Sequence, residues 1–323
     1  MLQRSSPRFV RATAVLFGTA FVAVLVSSPA FAQNGDPEAT AEGLSIFSAV
    51  MLGLVEGFTE YLPVSSTGHL LVTNKILGIG QTNEAEAALE TYAIAIQIGA
   101  IFAVVVLYKD RIFQMVEGLI GRSEEGRKVM LAVVAAFVPT AIIGVLLKGP
   151  VRDNLFGTAP IAAAWIVGGI AILVVTRTGF MRRDGEGRAG IELDAISSQQ
   201  AVMIGVAQCL ALWPGTSRSL VTILAALVVG LSLRAAVEFS FLLGLVTLSA
   251  ATVLSTYEGG AELVDQFGYL NPIIGLVVAF FAALISIRWM VSWLEQRSFD
   301  IFGYYRISIG IAAFVALSAG WLT

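Results

Sequence analysis

Charged residues are scarce in this sequence of 323 residues. Lys, Arg, Asp and Glu together make up 13% of it, hydrophobic residues make up 57%, and the mean hydropathy is +0.82. Soluble globular proteins carry roughly 25% charged residues, so this composition excludes that class and indicates a protein of the lipid bilayer. The net charge of −3 is close to neutral and gives no indication of a nucleic-acid partner.

Cysteine and histidine each occur once. With Cys209 as the single cysteine, the chain cannot form an intrachain disulfide or a thiolate metal cluster. The neighbours of Cys209 are apolar, which favours a buried, unreactive thiol over a catalytic one. The single histidine, His69, has different neighbours, because it follows two serines, two threonines and two glutamates within the segment 56–69.

The first 44 residues have the pattern of a secretion signal followed by a polar segment. Three arginines precede an apolar run at 14–26, and Ala30-Phe31-Ala32 supplies small residues at the positions that a signal peptidase reads. We predict a signal peptide at residues 1–32 and an exposed polar segment at 33–44. The alternative is an uncleaved first helix, although the apolar run is shorter than the ~20 residues that span a bilayer comfortably.

Six later segments are long and apolar enough to cross a membrane. They lie at about residues 91–108, 129–147, 159–176, 237–256, 273–293 and 304–322. The loops at 109–128 and 177–188 are rich in Lys and Arg, so the positive-inside rule places both in the cytoplasm. The loops predicted at 148–158 and 257–268 then lie outside.

Two further apolar segments are interrupted in the middle. Residues 45–79 are broken at Pro63–Gly68 and residues 199–231 at Gln208–Ser219. Half of either segment is too short to cross a bilayer, so we predict two re-entrant helical hairpins. The first would insert from outside and the second from the cytoplasm.

Each hairpin is followed by three spans, which indicates an internal repeat. Gly53-Leu-Val-Glu56, before the first break, resembles Gly205-Val-Ala-Gln208, before the second. Because three is odd, the two copies must insert in opposite orientations. The predicted fold is therefore all-α and polytopic, with six transmembrane helices and two opposed re-entrant hairpins in an inverted-topology repeat. It forms a single integral membrane domain at 45–323, with repeats at about 45–176 and 199–322.

Both breaks place serine and threonine after a proline, at the start of a half-helix. Side-chain oxygens cap such a helix, and its first backbone N–H groups remain available to an anion. In the second hairpin, Arg218 adds a planar guanidinium that suits phosphate oxygens. The sequence therefore predicts a phosphate or diphosphate site. The predicted binding residues are Ser65, Ser217, Arg218, Ser219 and Thr222.

The first hairpin supplies candidate catalytic residues. Glu56 and Glu60 lie four residues apart and share one helical face. Beside a phosphate, such a pair requires a proton or a bridging hard cation. Ser66 is a candidate nucleophile that either Glu60 or His69 could activate, and a water molecule is the alternative nucleophile. A purely structural hydrogen bond is the other interpretation of His69.

At these residues the chain resembles the undecaprenyl-diphosphate phosphatases, integral membrane enzymes linked to bacitracin resistance. Their first signature, Glu-x-x-x-Glu followed by Pro-Val-Ser-Ser-Thr-Gly-His, is matched by Glu56, Glu60 and Pro63–His69. Their second signature, Pro-Gly-x-Ser-Arg-Ser-x-x-Thr, is matched by Pro214–Thr222. The resemblance extends over essentially everything after residue 44.

The resemblance implies removal of the terminal phosphate from undecaprenyl diphosphate, at the outer face of the bacterial inner membrane. This reaction recycles a lipid carrier for cell-wall synthesis. The implied site residues are Glu56, Glu60, Ser66, His69, Ser217, Arg218 and Thr222. A divalent cation, Mg²⁺ or Ca²⁺, is an optional cofactor with Glu56 and Glu60 as its ligands.

The expected partners are the polyprenyl diphosphate lipid and the bilayer, with no nucleic acid, and a homodimer is one possible assembly. A carrier or flippase of polyprenyl phosphate is the alternative function, because inverted repeats with broken helices are typical of transporters. A carrier needs the anion site but has no use for a base beside a serine. This difference favours the hydrolase.

Overall fold

The computed structural model describes residues 44–80, 82–178 and 190–322. Within these ranges all regular secondary structure is helical, apart from one isolated β-bridge between Ile191 and Leu231. The predicted signal peptide, most of the polar segment and three of the cytoplasmic arginines lie outside the described residues. These arginines are Arg182, Arg183 and Arg188.

The described residues form eleven α-helices. They are α1 Ile46–Thr59, α2 Ser66–Leu77, α3 Asn83–Leu107, α4 Lys109–Leu119, α5 Glu124–Leu155, α6 Thr158–Arg177, α7 Ser198–Gln208, α8 Arg218–Val228, α9 Leu233–Phe267, α10 Leu270–Gln296 and α11 Asp300–Ser318. Two short 3₁₀ turns lie at Leu193–Ala195 and Cys209–Leu212. Six of the helices, α3, α5, α6, α9, α10 and α11, are long and apolar enough to cross a membrane, which confirms the six predicted spans.

Two loops predicted outside the bilayer are wrong, because the helices continue through most of their length. Helix α5 runs to Leu155 and helix α9 to Phe267, whereas loops were predicted at 148–158 and 257–268. The prediction ended each span with its apolar run, but a helix that has left the lipid needs no apolar surface. An ion pair of 2.5 Å between Lys148 and Glu258 joins the two helices beyond their apolar parts.

Two pairs of short helices, α1 with α2 and α7 with α8, correspond to the predicted hairpins. The four helices have 14, 12, 11 and 11 residues, fewer than the ~20 that cross a bilayer. Both chain breaks fall where the sequence indicated them. Insertion of the two pairs from opposite sides of the membrane stays a prediction.

The packing of the hairpins exchanges partners between the repeats. Helix α1 packs against α10 of the second repeat, and α7 packs against α5 of the first. Gly53 lets α1 approach the backbone of Gly275, and Gly205 lets α7 approach the backbone of Ala136. Since α5 and α10 are each the second span after a hairpin, this exchange is the arrangement expected of two repeats related by a two-fold axis.

The two breaks meet inside the largest hydrophobic core. Tyr61, Leu62 and Val64 of the first break belong to the same buried cluster as Leu220 and Ile223 of α8. Residues of α3, α5, α9 and α10 complete this cluster. Polar side chains at the breaks are therefore held in a rigid, apolar surrounding.

Candidate active site

Both breaks contain a serine with the same unusual backbone conformation. Ser65 has φ 75° and Ser217 has φ 76°, and no other non-glycine residue in the described ranges has a positive φ. Each serine caps the helix that follows, because Ser65 Oγ accepts from Gly68 N at 3.5 Å and Ser217 Oγ accepts from Leu220 N at 3.3 Å. A left-handed conformation costs a side-chain-bearing residue roughly 1–2 kcal/mol. Its occurrence at two equivalent positions indicates that a functional site requires it.

The capped helices α2 and α8 keep free N–H groups at their N-termini. The amides of Ser66 and Thr67, and those of Arg218 and Ser219, have no acceptor among the described residues. A helix N-terminus carries partial positive charge, so free amides there attract an anion. Ser219 Oγ donates to the carbonyl of Leu62 at 2.9 Å, which places the two helix N-termini side by side.

Glu60 joins the catalytic candidates of both hairpins. Ser66 Oγ donates to Glu60 Oε2 at 2.5 Å, and Arg218 Nη2 donates to Glu60 Oε1 at 2.9 Å. All three side chains are largely buried, with Glu60 7% and Ser66 5% exposed. Arg218 Nη1 donates to the carbonyl of Ser240 at 3.0 Å, while its Nε–H has no acceptor among the described residues. A carboxylate, a hydroxyl and a guanidinium thus converge at one point.

Glu56 lies one helical turn before Glu60 and is fully buried. Neither of its carboxylate oxygens accepts from a donor group among the described residues, and the Glu60 carboxyl lies within hydrogen-bonding reach. A buried carboxylate without a donor is costly, so the position suits a proton, a cation or a ligand. Among the described residues, no cluster of three or more His, Cys, Asp or Glu side chains is placed to hold a metal ion. Glu56 and Glu60 still fit a cation such as Mg²⁺, which commonly binds one or two carboxylates together with substrate phosphate and water.

His69 contacts the capping serine and helix α11. Its Nδ1 lies 2.6 Å from the carbonyl oxygen of Ser65, and its Nε2 lies 2.8 Å from Tyr305 Oη. Because a carbonyl only accepts, Nδ1 carries the hydrogen and Nε2 accepts from the tyrosine. His69 therefore holds Ser65 in its unusual conformation. Of the two bases left open by the sequence, the geometry favours Glu60, because Glu60 contacts Ser66.

The remaining predicted binding residues hold the second break in place. Ser217 Oγ lies 3.1 Å from Ser219 Oγ, whose other contact is the first break. Thr222 Oγ1 donates to the carbonyl of Arg218 at 2.9 Å and lies 2.6 Å from Ser240 Oγ. These hydroxyls are thus engaged with protein atoms, and the structure gives them a role in positioning Arg218. Direct contact of these hydroxyls with a diphosphate stays a prediction.

Arg306, in α11, is a site residue that the sequence analysis missed. It is fully buried and donates to Pro63 O of the first break at 3.2 Å and to Gly215 O of the second at 2.8 Å. It also donates to Ala164 O at 2.9 Å and Trp165 O at 3.3 Å, both in α6. None of the described carboxylates pairs with it. The available signal was a charge inside the last apolar span, where arginine is expensive and usually functional.

Fold and site together define a class: a polytopic α-helical membrane protein with a candidate anion site where two helix breaks meet. Residues 49–312 match the family model described as Bacitracin resistance protein BacA, and the chain belongs to this family. It is 42% identical over 265 residues to an undecaprenyl-diphosphatase of Sorangium cellulosum, covering 82% of this chain and 84% of that protein. It is 39% identical over 291 residues to an undecaprenyl-diphosphatase of Methylibium petroleiphilum, covering 86% and 98%. These findings confirm the resemblance carried by the two motifs.

Proposed function

We propose that this protein hydrolyses undecaprenyl diphosphate to undecaprenyl phosphate and inorganic phosphate, recycling the lipid carrier for cell-wall synthesis. The observation that carries the proposal is the double contact of Glu60, with Ser66 Oγ on one oxygen and Arg218 on the other. A proton acceptor, a nucleophile and a phosphate-binding cation are the parts that phosphoryl transfer needs. The names of the relatives support the same lipid substrate.

Arg218 and the free amides of α2 and α8 would bind the diphosphate. Phosphoryl transfer spreads negative charge over the equatorial oxygens of the moving group, and fixed donors in a dry site stabilise that charge. The Nε–H of Arg218 and the helix N-termini are already in place, so little reorganisation is needed when substrate arrives. Most of this diphosphate binding would come from the second hairpin.

Two routes of hydrolysis use the same residues. In the first, Glu60 takes the proton of Ser66 as Oγ attacks the terminal phosphorus, the bond to the bridging oxygen breaks, and undecaprenyl phosphate leaves. Glu60 gives that proton to the departing undecaprenyl phosphate, then takes a proton from the water that attacks the phosphoserine and returns it to Ser66 Oγ as phosphate leaves. In the second, a water molecule attacks directly and gives its proton to Glu60. The 2.5 Å contact between Ser66 and Glu60 favours the first route.

Glu56 and Glu60 would hold a divalent cation, Mg²⁺ or Ca²⁺. When bound, such a cation neutralises charge on phosphate oxygens. Without it, Glu56 needs a proton to remain buried beside Glu60. Either state leaves Glu60 available to Ser66.

The proposed location is the bacterial inner membrane, with the site open to the outside. Basic residues between α3 and the apolar part of α5 support this orientation, because the positive-inside rule places them in the cytoplasm. They are Lys109, Arg111, Arg122, Arg127 and Lys128. A contribution to bacitracin resistance follows from the family, and a homodimer stays a prediction.

A lipid carrier is the second candidate, supported by the exchange of hairpin partners between the repeats. The deciding experiment measures phosphate release from undecaprenyl diphosphate by the purified protein in detergent, with and without a chelator. Glu60→Gln is the control for contaminating phosphatases. We expect release by the wild type and at least ~10²-fold less by the variant. A wild type that binds the lipid and releases no phosphate would favour the carrier.

A further inference from the structure

The two hairpins differ in how they pack against α6. Behind the first hairpin, side chains fill the space, because Val72 of α2 packs with Trp165 of α6 and Ile309 of α11 in a buried cluster. Behind the second hairpin, α6, α7 and α8 enclose a cavity of about 450 Å³. That volume lies within the ~300–1,000 Å³ typical of ligand pockets. The two repeats therefore have the same backbone at their breaks but pack differently against α6.

The walls of this cavity, which we name the α8 groove, are apolar. They include Ala171 of α6, Met203 and Ala207 of α7, and Leu224 and Ala225 of α8. Thr216 carries the one hydroxyl among the lining side chains. Residues on the rim are exposed on the protein surface, among them Met203 at 51%. The groove therefore opens towards the lipid and suits a hydrocarbon ligand.

One end of the groove lies at the second break, next along the chain to the predicted phosphate-binding residues. Trp213 and Thr216 line its upper end, immediately before Ser217 and Arg218. From there it follows α8 to Val228, a distance of about 15 Å at the helical rise per residue. A molecule lying in the groove thus has one end at the helix N-terminus where an anion binds.

We propose that the α8 groove holds the part of the prenyl chain that lies next to the diphosphate of the substrate. The inference rests on the proposed function, because it requires a ligand with a diphosphate head and a long apolar chain. An apolar cavity alone would accept any lipid chain. This one ends at Thr216, two residues before Arg218, and that position favours a chain that ends in phosphate.

The groove acts on orientation more than on affinity. Lipid tails are as apolar as the groove, so moving a prenyl chain from the bilayer into it gains little hydrophobic free energy. Fixing the first isoprene units does set the direction from which the diphosphate reaches Arg218 and Ser66. A displacement of about 1 Å at the reacting atoms can cost ~10²-fold in rate. Filling the groove should therefore slow the reaction of a long-chain substrate.

The first test fills the groove with Ala171→Phe or Ala207→Phe. The matched controls, Val174→Phe on α6 and Val206→Phe on α7, lie on the same helices but face the lipid, at 52% and 54% exposure. We expect the groove variants to lower kcat/KM for undecaprenyl diphosphate at least ~10-fold, with the controls within about twofold of wild type. For a C5 prenyl diphosphate, too short to extend along the groove, all four variants should match the wild type.

An equal loss of activity on both substrates, or no loss on either, would overturn the proposal. A wild type that hydrolyses neither substrate would instead refute the proposed function. The groove would then be judged by a second measurement that needs no turnover. Wild-type protein is photo-crosslinked to an undecaprenyl diphosphate analogue with a benzophenone on its third isoprene unit, and the adducts are mapped by mass spectrometry.

We expect adducts within 164–171 and 203–229, the ranges that line the groove. Excess unlabelled undecaprenyl diphosphate should remove these adducts, and excess phosphatidylglycerol should not. Adducts on α3, α9 or α10 would show that the chain lies elsewhere. Equal displacement by phosphatidylglycerol would show that the groove takes bulk lipid only. Either result overturns the proposal.

Discussion

The two helix breaks share a backbone and differ in their side chains. Ser65 and Ser217 have the same φ within a degree, cap the helix that follows and are preceded, equally far upstream, by Gly53 and Gly205. Each break therefore presents a helix N-terminus with free amides. The two repeats thus supply the same backbone frame twice.

The chemistry is divided between the two copies. Aligned on the capping serines, Glu60 of the first hairpin corresponds to Leu212 of the second, and Ser66 corresponds to Arg218. The first hairpin thus provides the proton acceptor and the nucleophile, and the second provides the cation. One asymmetric site arises from a symmetric frame, and Glu60 is the residue that joins its halves.

The largest expected effect comes from separating these halves. Glu60→Gln and Arg218→Ala should each lower kcat for phosphate release at least ~10²-fold, because one removes the base and the other removes the cation. The double variant should be little worse than either single variant, since residues that act as a unit are not additive. Losses that multiply in the double variant would show that the two residues act independently.

A suitable control for this pair is Glu258→Gln. Glu258 pairs with Lys148 at a site where both side chains are about half exposed. An exposed ion pair contributes little to stability, so the rate should stay within about twofold of wild type. A large loss here would indicate that charge removal in general harms the protein.

Arg306→Lys tests the frame that both hairpins share. The guanidinium donates to four carbonyl groups, two in α6 and one in each break. A lysine keeps the charge, but its compact ammonium group cannot span those positions. We expect a lower melting temperature and a loss of at least ~10-fold in phosphate release. The control is Arg297→Lys, at an exposed helix end, which should change neither quantity.

Unchanged activity in Arg306→Lys would mean that a charge at this position suffices. The two breaks would then keep their spacing without the guanidinium fork. A lower melting temperature with normal turnover would assign Arg306 to stability alone. The two readouts together therefore separate positioning of the site from general support of the fold.

Much of the fold followed from the sequence because apolar length and basic loops are local signals. The ends of α5 and α9 did not, because outside the lipid they depend on contacts such as the Lys148 to Glu258 pair between distant segments. That both breaks contribute to one phosphate site was predicted from the sequence, but the direct contact of Glu60 with Arg218 was not, because it depends on how the two breaks pack. The local motif gave no sign of the partner of His69, because Tyr305 lies 236 residues away.

The α8 groove could not be predicted from sequence patterns. Its lining residues are ordinary apolar residues of α6, α7 and α8, and nothing in their order distinguishes them from core positions. A cavity is the space that three packed helices leave, so it depends on their relative placement. Arg306 is different, because a charge in an apolar span is visible in the sequence.

The capping serines test whether the two frames are equivalent. Ser65→Gly and Ser217→Gly lose the cap but keep a backbone that tolerates positive φ, so each should cost only a few tenths of a kcal/mol. The corresponding alanine variants lose the cap and keep the strain of roughly 1–2 kcal/mol that each serine already bears and that glycine relieves. Thermal unfolding in detergent should rank glycine above alanine at both positions. The opposite ranking at one position would show that the breaks are not equivalent.

The smallest expected effect concerns Gln208, the counterpart of Glu56. Gln208 Nε2 donates to Thr140 Oγ1 at 2.8 Å, and its buried Oε1 has no partner in the described part of the chain. Gln208→Met removes one ordinary hydrogen bond and one unsatisfied oxygen, so stability should change by less than about 1 kcal/mol and phosphate release by less than about twofold. Glu56→Gln should lower release at least ~10-fold, because it removes a carboxylate beside the base. Equal losses in the two variants would contradict the division of labour, since the second hairpin would then contribute chemistry at the same position as the first.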